Sequence, residues 1–255
     1  MAEASGAEPH DWDGAIYDRV AGPMTRWGTS VLERLPLRGD ETVLDAGCGS
    51  GRVTEQLLDR LPDGRLIALD ASPSMVDAAR DRLTRFGDRV TYVVADLGRP
   101  LPLEPSSVDA ILSTATLHWV RNHDSVFRHL ASPLRAGGRL VAQCGGAGNI
   151  AAVQRVLAAI GDGWTGPWTF ATPEETRTRL ESAGFTDIET WLHDEHERFE
   201  PGEPFREYLR TVVLGAHLER LGSEVEREAF VDAVAAALPA PEIGYVRLNI
   251  LATRA

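Results

Sequence analysis

The chain has 255 residues, 43% of them hydrophobic, which is enough to build the core of a folded domain and excludes a disordered tail. Its 26 Lys and Arg against 38 Asp and Glu give a formal net charge of -12. Such a surface repels phosphate backbones and anionic lipid, so we expect neither nucleic acid nor a membrane as a partner.

Other bulk features narrow the class further. The two cysteines, Cys48 and Cys144, are too few for a disulfide scaffold, and no group of side chains predicts a metal site. No stretch approaches the roughly 18 apolar residues of a membrane span, and the first residues do not resemble a secretory signal. We therefore expect a cytoplasmic protein.

Short apolar runs alternate with amphipathic stretches as far as Gly145. Such alternation is typical of buried parallel strands that are covered by helices, and it predicts an α/β fold. The predicted strands are Thr42–Asp45, Arg65–Asp70, Val90–Asp96, Val108–Ser113 and Arg139–Cys144. The predicted helices between them are Arg52–Arg60, Ser74–Arg85 and Ser125–Leu134. Ser72 and Pro73 are expected to cap the second helix, and Arg135–Gly138 is expected to stop the third.

The pattern changes after Gly145. The later elements are predicted as a helix over Pro173–Phe185, a strand near Asp187–Leu192, helices over Phe205–Leu221 and Ser223–Leu238, and a last strand at Tyr245–Arg254. Because no long linker separates them from the first half, we expect the late helices to form a cap over the sheet rather than a second domain.

Three glycines, Gly47, Gly49 and Gly51, follow the first predicted strand in the stretch VLDAGCGSGR. Glycine lets the backbone turn tightly and approach a ligand where a Cβ would clash. The helix that follows points its free amides and its positive end at this loop. A glycine-rich turn that binds no ligand has the same sequence pattern, so the loop alone does not distinguish a ligand site from an ordinary turn.

An aspartate ends each of the first three predicted strands, at Asp45, Asp70 and Asp96. Ligands of open parallel sheets bind at these carboxyl ends, so the three acids favour a nucleoside site over isolated turn residues. We expect Asp70 to accept the ribose hydroxyls and Asp96 to lie near the adenine amino group. An acid beside the loop would repel a pyrophosphate, whereas it attracts the sulfonium and ammonium of S-adenosyl-L-methionine (SAM).

The segments DAGCGSG, LDASPSMVDAAR, VVADLG and STATLHWV resemble, in order and spacing, the first four motifs of class I SAM-dependent methyltransferases. Weaker likeness in LHWV, in AGF and in a late helical insertion points to the trans-aconitate methyltransferase group. The resemblance implies a Rossmann-like, doubly wound sheet of seven strands, mostly parallel, whose last strand is antiparallel, with helical cap insertions. It also implies one domain over 1–255, divided into an N-terminal helical lid (1–40), a SAM-binding core (41–145) and a C-terminal part (146–255) with a substrate cap at about 200–240.

The resemblance also implies a set of cofactor contacts. Asp45 would hold the methionine ammonium, Arg26 the methionine carboxylate, and Tyr17 would cover the cofactor. A surface arginine and a core tyrosine are the alternatives for Arg26 and Tyr17. The full set is Tyr17, Arg26, Asp45, Gly47, Gly49, Gly51, Asp70, Ala71, Met75, Asp96, Leu97, Thr114 and Ala115.

Methyl transfer from a sulfonium requires the nucleophile to be held in line with the methyl group. A carboxylate is already ionised at neutral pH, whereas a hydroxyl or carbon nucleophile usually needs a base. His118 is the candidate catalytic residue, either as a base or as a substrate-facing side chain. The resembling aconitate-type enzymes carry glutamine there, which argues against a base common to the group. Trp164 and Trp168 are interpreted as an apolar substrate wall or as loop anchors.

The sequence therefore predicts a SAM-dependent methyltransferase with a small-molecule acceptor, a carboxylic acid being preferred over a hydroxyl or carbon centre of a natural product. Two other classes stay open. An NAD(P)-dependent oxidoreductase would bind a nicotinamide cofactor instead of SAM, and a non-catalytic module would bind SAM and transfer nothing. A monomer or a homodimer is expected.

Overall fold

A computed structural model describes residues 22–160 and 163–255 of the chain. Tyr17 and the first part of the predicted N-terminal lid lie outside the described residues. Within the described ranges, no helix is both long enough and apolar enough to cross a membrane.

The described residues form one seven-stranded sheet. Its strands are β1 (Thr42–Ala46), β2 (Arg65–Asp70), β3 (Val90–Val94), β4 (Val108–Thr114), β5 (Leu134–Gly145), β6 (Phe185–Arg198) and β7 (Glu242–Arg254). Their order across the sheet is β3-β2-β1-β4-β5-β7-β6. Strands β1 to β5 pair in parallel, while β7 lies between β5 and β6 and is antiparallel to both. The predicted Rossmann-like sheet with an antiparallel last strand is confirmed.

Helices cover both faces of the sheet because successive residues of each buried strand point to opposite sides. In β1, Leu44 packs with Phe127 and Leu130 on one face, whereas Val43 packs with Leu32 and Leu57 on the other. The helices of the described residues are α1 (Gly22–Leu32), α2 (Arg52–Asp59), α3 (Pro73–Arg82), α4 (His123–Ala131), α5 (Ala151–Ile160), α6 (Pro173–Ser182), α7 (Glu203–Tyr208), α8 (Gly215–Leu218) and α9 (Glu224–Ala237).

The cap prediction at α3 is confirmed, whereas the predicted end of α4 is wrong. Ser72 Oγ accepts a hydrogen bond from the Met75 amide at 3.2 Å at the start of α3. Helix α4 ends at Ala131, and Arg135–Gly138, predicted to stop it, lies inside β5. These residues form a bulge, since Val108 of β4 pairs with Leu134 while Ala110 pairs with Arg139.

The C-terminal helices also differ from the predicted pattern. The predicted helix over Phe205–Leu221 is divided into α7, a π-helical segment at Leu209–Val213, and α8. Leu214 N donates to Leu209 O at 2.8 Å, the i to i+5 bond of a π-turn, which occurs often at functional sites. Helix α5 was not predicted, although AAVQRVLAAI carries a helical signal: its buried residues Val153 and Leu157 are four positions apart.

A third hydrophobic cluster holds these late helices against the sheet. It joins Trp27 of α1, Val153 of α5, Tyr208 of α7 and Val231 of α9 to Tyr245 of β7. The Tyr208 and Tyr245 hydroxyls are 2.5 Å apart. The C-terminal helices and α1 therefore pack together against β7.

Candidate active site

A cavity of about 710 Å³ opens at the carboxyl ends of β1 to β4, between the sheet and the C-terminal helices. The strand order changes direction between β1 and β4, and open α/β sheets bind their ligands at such a switch point. The volume lies in the range of about 300 to 1,000 Å³ that is typical of small-molecule sites. The cavity is therefore the candidate active site.

Most of the predicted site residues meet at this cavity. Of the predicted residues that the structure describes, three do not line it: Asp45 is buried, Gly51 is the N-cap of α2, and Arg26 forms an ion pair with Glu197 of β6 with 63% of its side chain exposed. The structure thus places Arg26 on the surface, the alternative that its sequence position left open. The predicted residues that do line the cavity are Gly47, Gly49, Asp70, Ala71, Met75, Asp96, Leu97, Thr114, Ala115 and His118.

The glycine loop is shaped by Gly47, which takes a φ of 91° and donates its amide to Leu69 O at 2.7 Å. A Cβ on Gly47 would lie 2.1 Å from Thr116 Oγ1, so the loop and the end of β4 approach as closely as they do because the side chain is absent. By contrast, a Cβ on Gly49 would meet nothing within 4 Å. Gly49 therefore presents open backbone to the cavity.

The variant Gly47→Ala is expected to destabilise the fold by about 2–4 kcal/mol, because it combines a strained positive φ with a clash against Thr116. Gly137→Ala is the matched control, since Gly137 has a φ of 74° and a Cβ on it would meet no atom within 4 Å. That control is expected to cost about 1 kcal/mol. Chemical denaturation of both variants measures the difference, and equal losses would contradict the proposed close approach.

Asp70 is held at the tip of β2 by two backbone amides. Gly49 N donates to its Oδ2 at 2.9 Å and Ser72 N donates to its Oδ1 at 3.0 Å. A carboxylate has about four acceptor sites, two on each oxygen, and the Asp70 side chain lines the cavity. Asp70 therefore suits a ligand with two neighbouring hydroxyls, such as a ribose.

Asp45 is a buried acid with one unsatisfied oxygen. Thr54 Oγ1 donates to its Oδ2 at 2.7 Å, while Oδ1 has no hydrogen-bond partner among the described residues. The pKa of Asp45 is raised to about 7, chiefly by burial; the Thr54 hydrogen bond opposes the shift and the Asp70 charge adds to it. A buried carboxyl of this kind fits a cation near the loop, and it does not fit a phosphate.

His118 follows β4 in a short 3₁₀ turn and is 8% exposed. Its Nδ1 accepts the amide of Gly145 at 3.3 Å. Burial lowers the pKa of His118 well below its usual value, and the charge of Arg247 lowers it further. Because an accepting nitrogen carries no proton, the neutral ring holds its proton on Nε2 and is a hydrogen-bond donor there.

Arg247 of β7 is a cavity residue that was not predicted. It is 3% exposed and pairs across the sheet with Gly145, the residue that contacts His118. Its Nε donates to Gln143 Oε1 at 3.3 Å, and its guanidinium lies 4.6 Å from the ring centroid of Trp27. The usable signal in the sequence is an arginine among the apolar residues of YVRLNIL, where a buried strand has no solvated face for it.

The fold and the cavity agree with comparisons to known proteins. Residues 43–138 match a family model described as a methyltransferase domain. The chain is 34% identical over 248 residues to a trans-aconitate 2-methyltransferase of Streptomyces coelicolor, covering 90% of this chain and 79% of that one. The chain belongs to the class I SAM-dependent methyltransferases, in the trans-aconitate methyltransferase-like group.

Two further similarities support this assignment. The methyltransferase is 29% identical over 242 residues to a trans-aconitate 2-methyltransferase of Methylobacterium radiotolerans, covering 89% of each chain. Its fold matches that of phosphoethanolamine N-methyltransferase 2 of Haemonchus contortus in complex with SAM, with a TM-score of 0.63 at 19% identity over 95% of this chain and 57% of that one. The prediction of an enzyme that uses S-adenosyl-L-methionine is confirmed, and the nicotinamide and non-catalytic alternatives are set aside.

Proposed function

We propose that this methyltransferase transfers the methyl group of SAM to a small carboxylic acid and forms a methyl ester. The buried guanidinium of Arg247 in the cavity wall carries the proposal, since arginine binds a carboxylate through two parallel N–H···O bonds. Two relatives of the chain are named trans-aconitate 2-methyltransferase, and trans-aconitate is a carboxylic acid.

The cofactor half of the cavity would be the side of β1, β2 and β3. There Asp70 would accept the two ribose hydroxyls, and the open backbone at Gly49 would receive the methionine portion. Asp45 would supply negative potential beneath the methionine ammonium. The other residues proposed to contact the cofactor are Gly47, Ala71, Met75, Asp96, Leu97, Thr114 and Ala115.

Bound SAM would supply an electrophilic methyl group. A carboxylate lone pair would form the O–CH₃ bond as the S–CH₃ bond breaks and its electrons pass to sulfur, so the acceptor would need no proton transfer. Arg247 would hold the second carboxylate oxygen, and His118 would donate from Nε2. Because the negative charge of the carboxylate falls as the bond forms, both residues act by positioning the nucleophile rather than by stabilising the transition state.

The proposal is tested by incubating the enzyme with methyl-labelled SAM and matched acceptors that share one carbon skeleton but end in a carboxylate, an alcohol or an amine. Mass spectrometry then identifies the labelled products. We expect transfer to the acids and none to the matched alcohols and amines. Transfer to an alcohol or amine in preference to its acid would overturn the proposal.

The substitution His118→Gln is expected to lower kcat/KM by less than about tenfold, because a glutamine amide can also donate to the acceptor. His118→Phe is the matched variant without a donor, and its loss is expected to be greater. Since burial lowers the pKa of His118 well below its usual value of about 6.5, the ring is neutral at and above neutral pH. The wild type and His118→Gln are therefore expected to share one pH profile, in which a change near pH 7 comes from Asp45.

The pH profile of kcat/KM, measured for the wild type and both variants, checks this expectation. A rate that rises through about pH 6.5 in the wild type and is lost in His118→Gln would identify His118 as a base. That result would point to a hydroxyl or carbon nucleophile.

A further inference from the structure

One part of the cavity lining, made of residues that are not proposed to contact the cofactor, is a wall of rings and aliphatic side chains. Its principal members are Trp119, Ile150, Trp164, Trp168, Phe170 and Val213. The four aromatic members are each only partly buried, so they keep surface that a bound molecule would cover. Of the two sequence interpretations of Trp164 and Trp168, the cavity lining supports the substrate wall.

The rings of this wall are ordered relative to one another. Trp168 and Phe170 stack with ring centroids 5.8 Å apart and planes 12° apart, and the His118 ring lies 6.0 Å from Phe170 at 27°. Trp119 meets Trp168 edge-on at 5.8 Å. A Cβ on Gly166 would lie 2.1 Å from the Trp168 ring, so the indole can take this position only because Gly166 has no side chain. Flat molecules fit against such a row because ring faces and edges attract one another.

Charge is distributed unevenly over the same part of the cavity. Among its described lining residues the buried cation is Arg247, whereas Arg121 and Arg220 are exposed at the rim. Arg220 lies over the Trp164 ring at 4.2 Å, and the acidic Glu219 precedes it. One buried guanidinium matches one carboxylate. A second or third carboxylate deep in the cavity would be desolvated against rings and aliphatic groups, which is costly without a paired cation.

We propose that the acceptor is a flat, largely apolar monocarboxylic acid, such as an aryl-substituted or extended unsaturated acid, and not a polycarboxylate. The inference rests on the proposed function, since it concerns the same carboxylate site. The carboxylate binds Arg247 and the Nε2 proton of His118. The body of the acid lies along Trp168 and Phe170, so it excludes water from the reacting oxygen.

The test compares 3-phenylpropenoate, trans-aconitate and 3-phenylpropenol as acceptors for labelled SAM. The expected result is a kcat/KM for 3-phenylpropenoate at least tenfold above that for trans-aconitate, with no transfer to the alcohol. A preference for trans-aconitate would overturn the monocarboxylate inference and leave the proposed function in place. Transfer to the alcohol instead of the acids, or to none of the three, would overturn the proposed function and the inference with it.

Two variants test the wall directly. Trp168→Ala is expected to raise the KM for 3-phenylpropenoate at least tenfold with unchanged SAM affinity, and to reduce the preference over trans-aconitate. Trp191→Ala is the matched control, since Trp191 lies on β6 under the Arg34 guanidinium and outside the cavity lining. Equal KM values for wild type and Trp168→Ala would remove the wall from acceptor recognition and overturn the inference.

Discussion

Replacing Asp70 by alanine is expected to weaken the binding of SAM by at least about 100-fold. The variant removes the charged acceptor proposed for both ribose hydroxyls, and hydrogen bonds to a charged group contribute about 1.5–3 kcal/mol each. It also removes the acceptor of the Gly49 and Ser72 amides, so the glycine loop loses its tie to the end of β2. Both effects lower the affinity.

Isothermal titration calorimetry with S-adenosylhomocysteine measures this change without turnover. Asp81→Ala is the matched control, because Asp81 is exposed on α3 and does not line the cavity. The control is expected to bind like the wild type. An affinity of Asp70→Ala within threefold of the wild type would show that Asp70 does not hold the ribose.

Replacing Arg247 by methionine is expected to lower kcat/KM for the acceptor by about 100- to 1,000-fold, mainly through KM. A buried charge pair that loses one partner costs about 2–5 kcal/mol, and methionine keeps most of the volume of the side chain. SAM affinity is expected to stay within threefold, because Arg247 lies on the β5 and β7 side of the cavity. Unchanged cofactor affinity also shows that the variant is folded.

Arg220→Met is the matched control for a cation at the rim. Its side chain is exposed over Trp164, so its loss is expected to change acceptor kcat/KM by less than tenfold. Steady-state kinetics for the acceptor and calorimetry for the cofactor separate the two roles. A SAM affinity that falls as far as the acceptor kcat/KM in Arg247→Met would place Arg247 on the methionine carboxylate instead.

The parts of the fold that were predicted correctly are those determined by local pattern. The alternation of apolar runs identified the strands, and Ser72-Pro73 identified the start of α3, because each signal lies within a few neighbouring residues. The bulge at Arg135–Gly138 depends instead on the register that β4 imposes on β5. The π-helical segment at Leu209–Val213 likewise packs against residues that are distant in the sequence, so its shape cannot be predicted from neighbouring residues alone.

The same distinction holds for the site. The glycine loop and Asp70 follow from the order of residues at strand ends, and the structure brings them together at the cavity. The roles of Arg26 and Arg247 could not be predicted from the sequence, because an arginine has a long side chain and its partner lies on a distant segment of the chain. Arg26 pairs with Glu197 of β6, whereas Arg247 reaches the cavity through its pairing with β5.

The position of the transferred methyl group tests the central claim most directly. The labelled product of the enzyme, made with methyl-labelled SAM, is treated with alkali and the released label is identified. A carboxylate acceptor predicts that the label leaves as methanol, because alkali cleaves methyl esters. Label that stays on the product under those conditions would mean an ether, amine or carbon methyl group, and would contradict the assignment of Arg247 and His118 to a carboxylate.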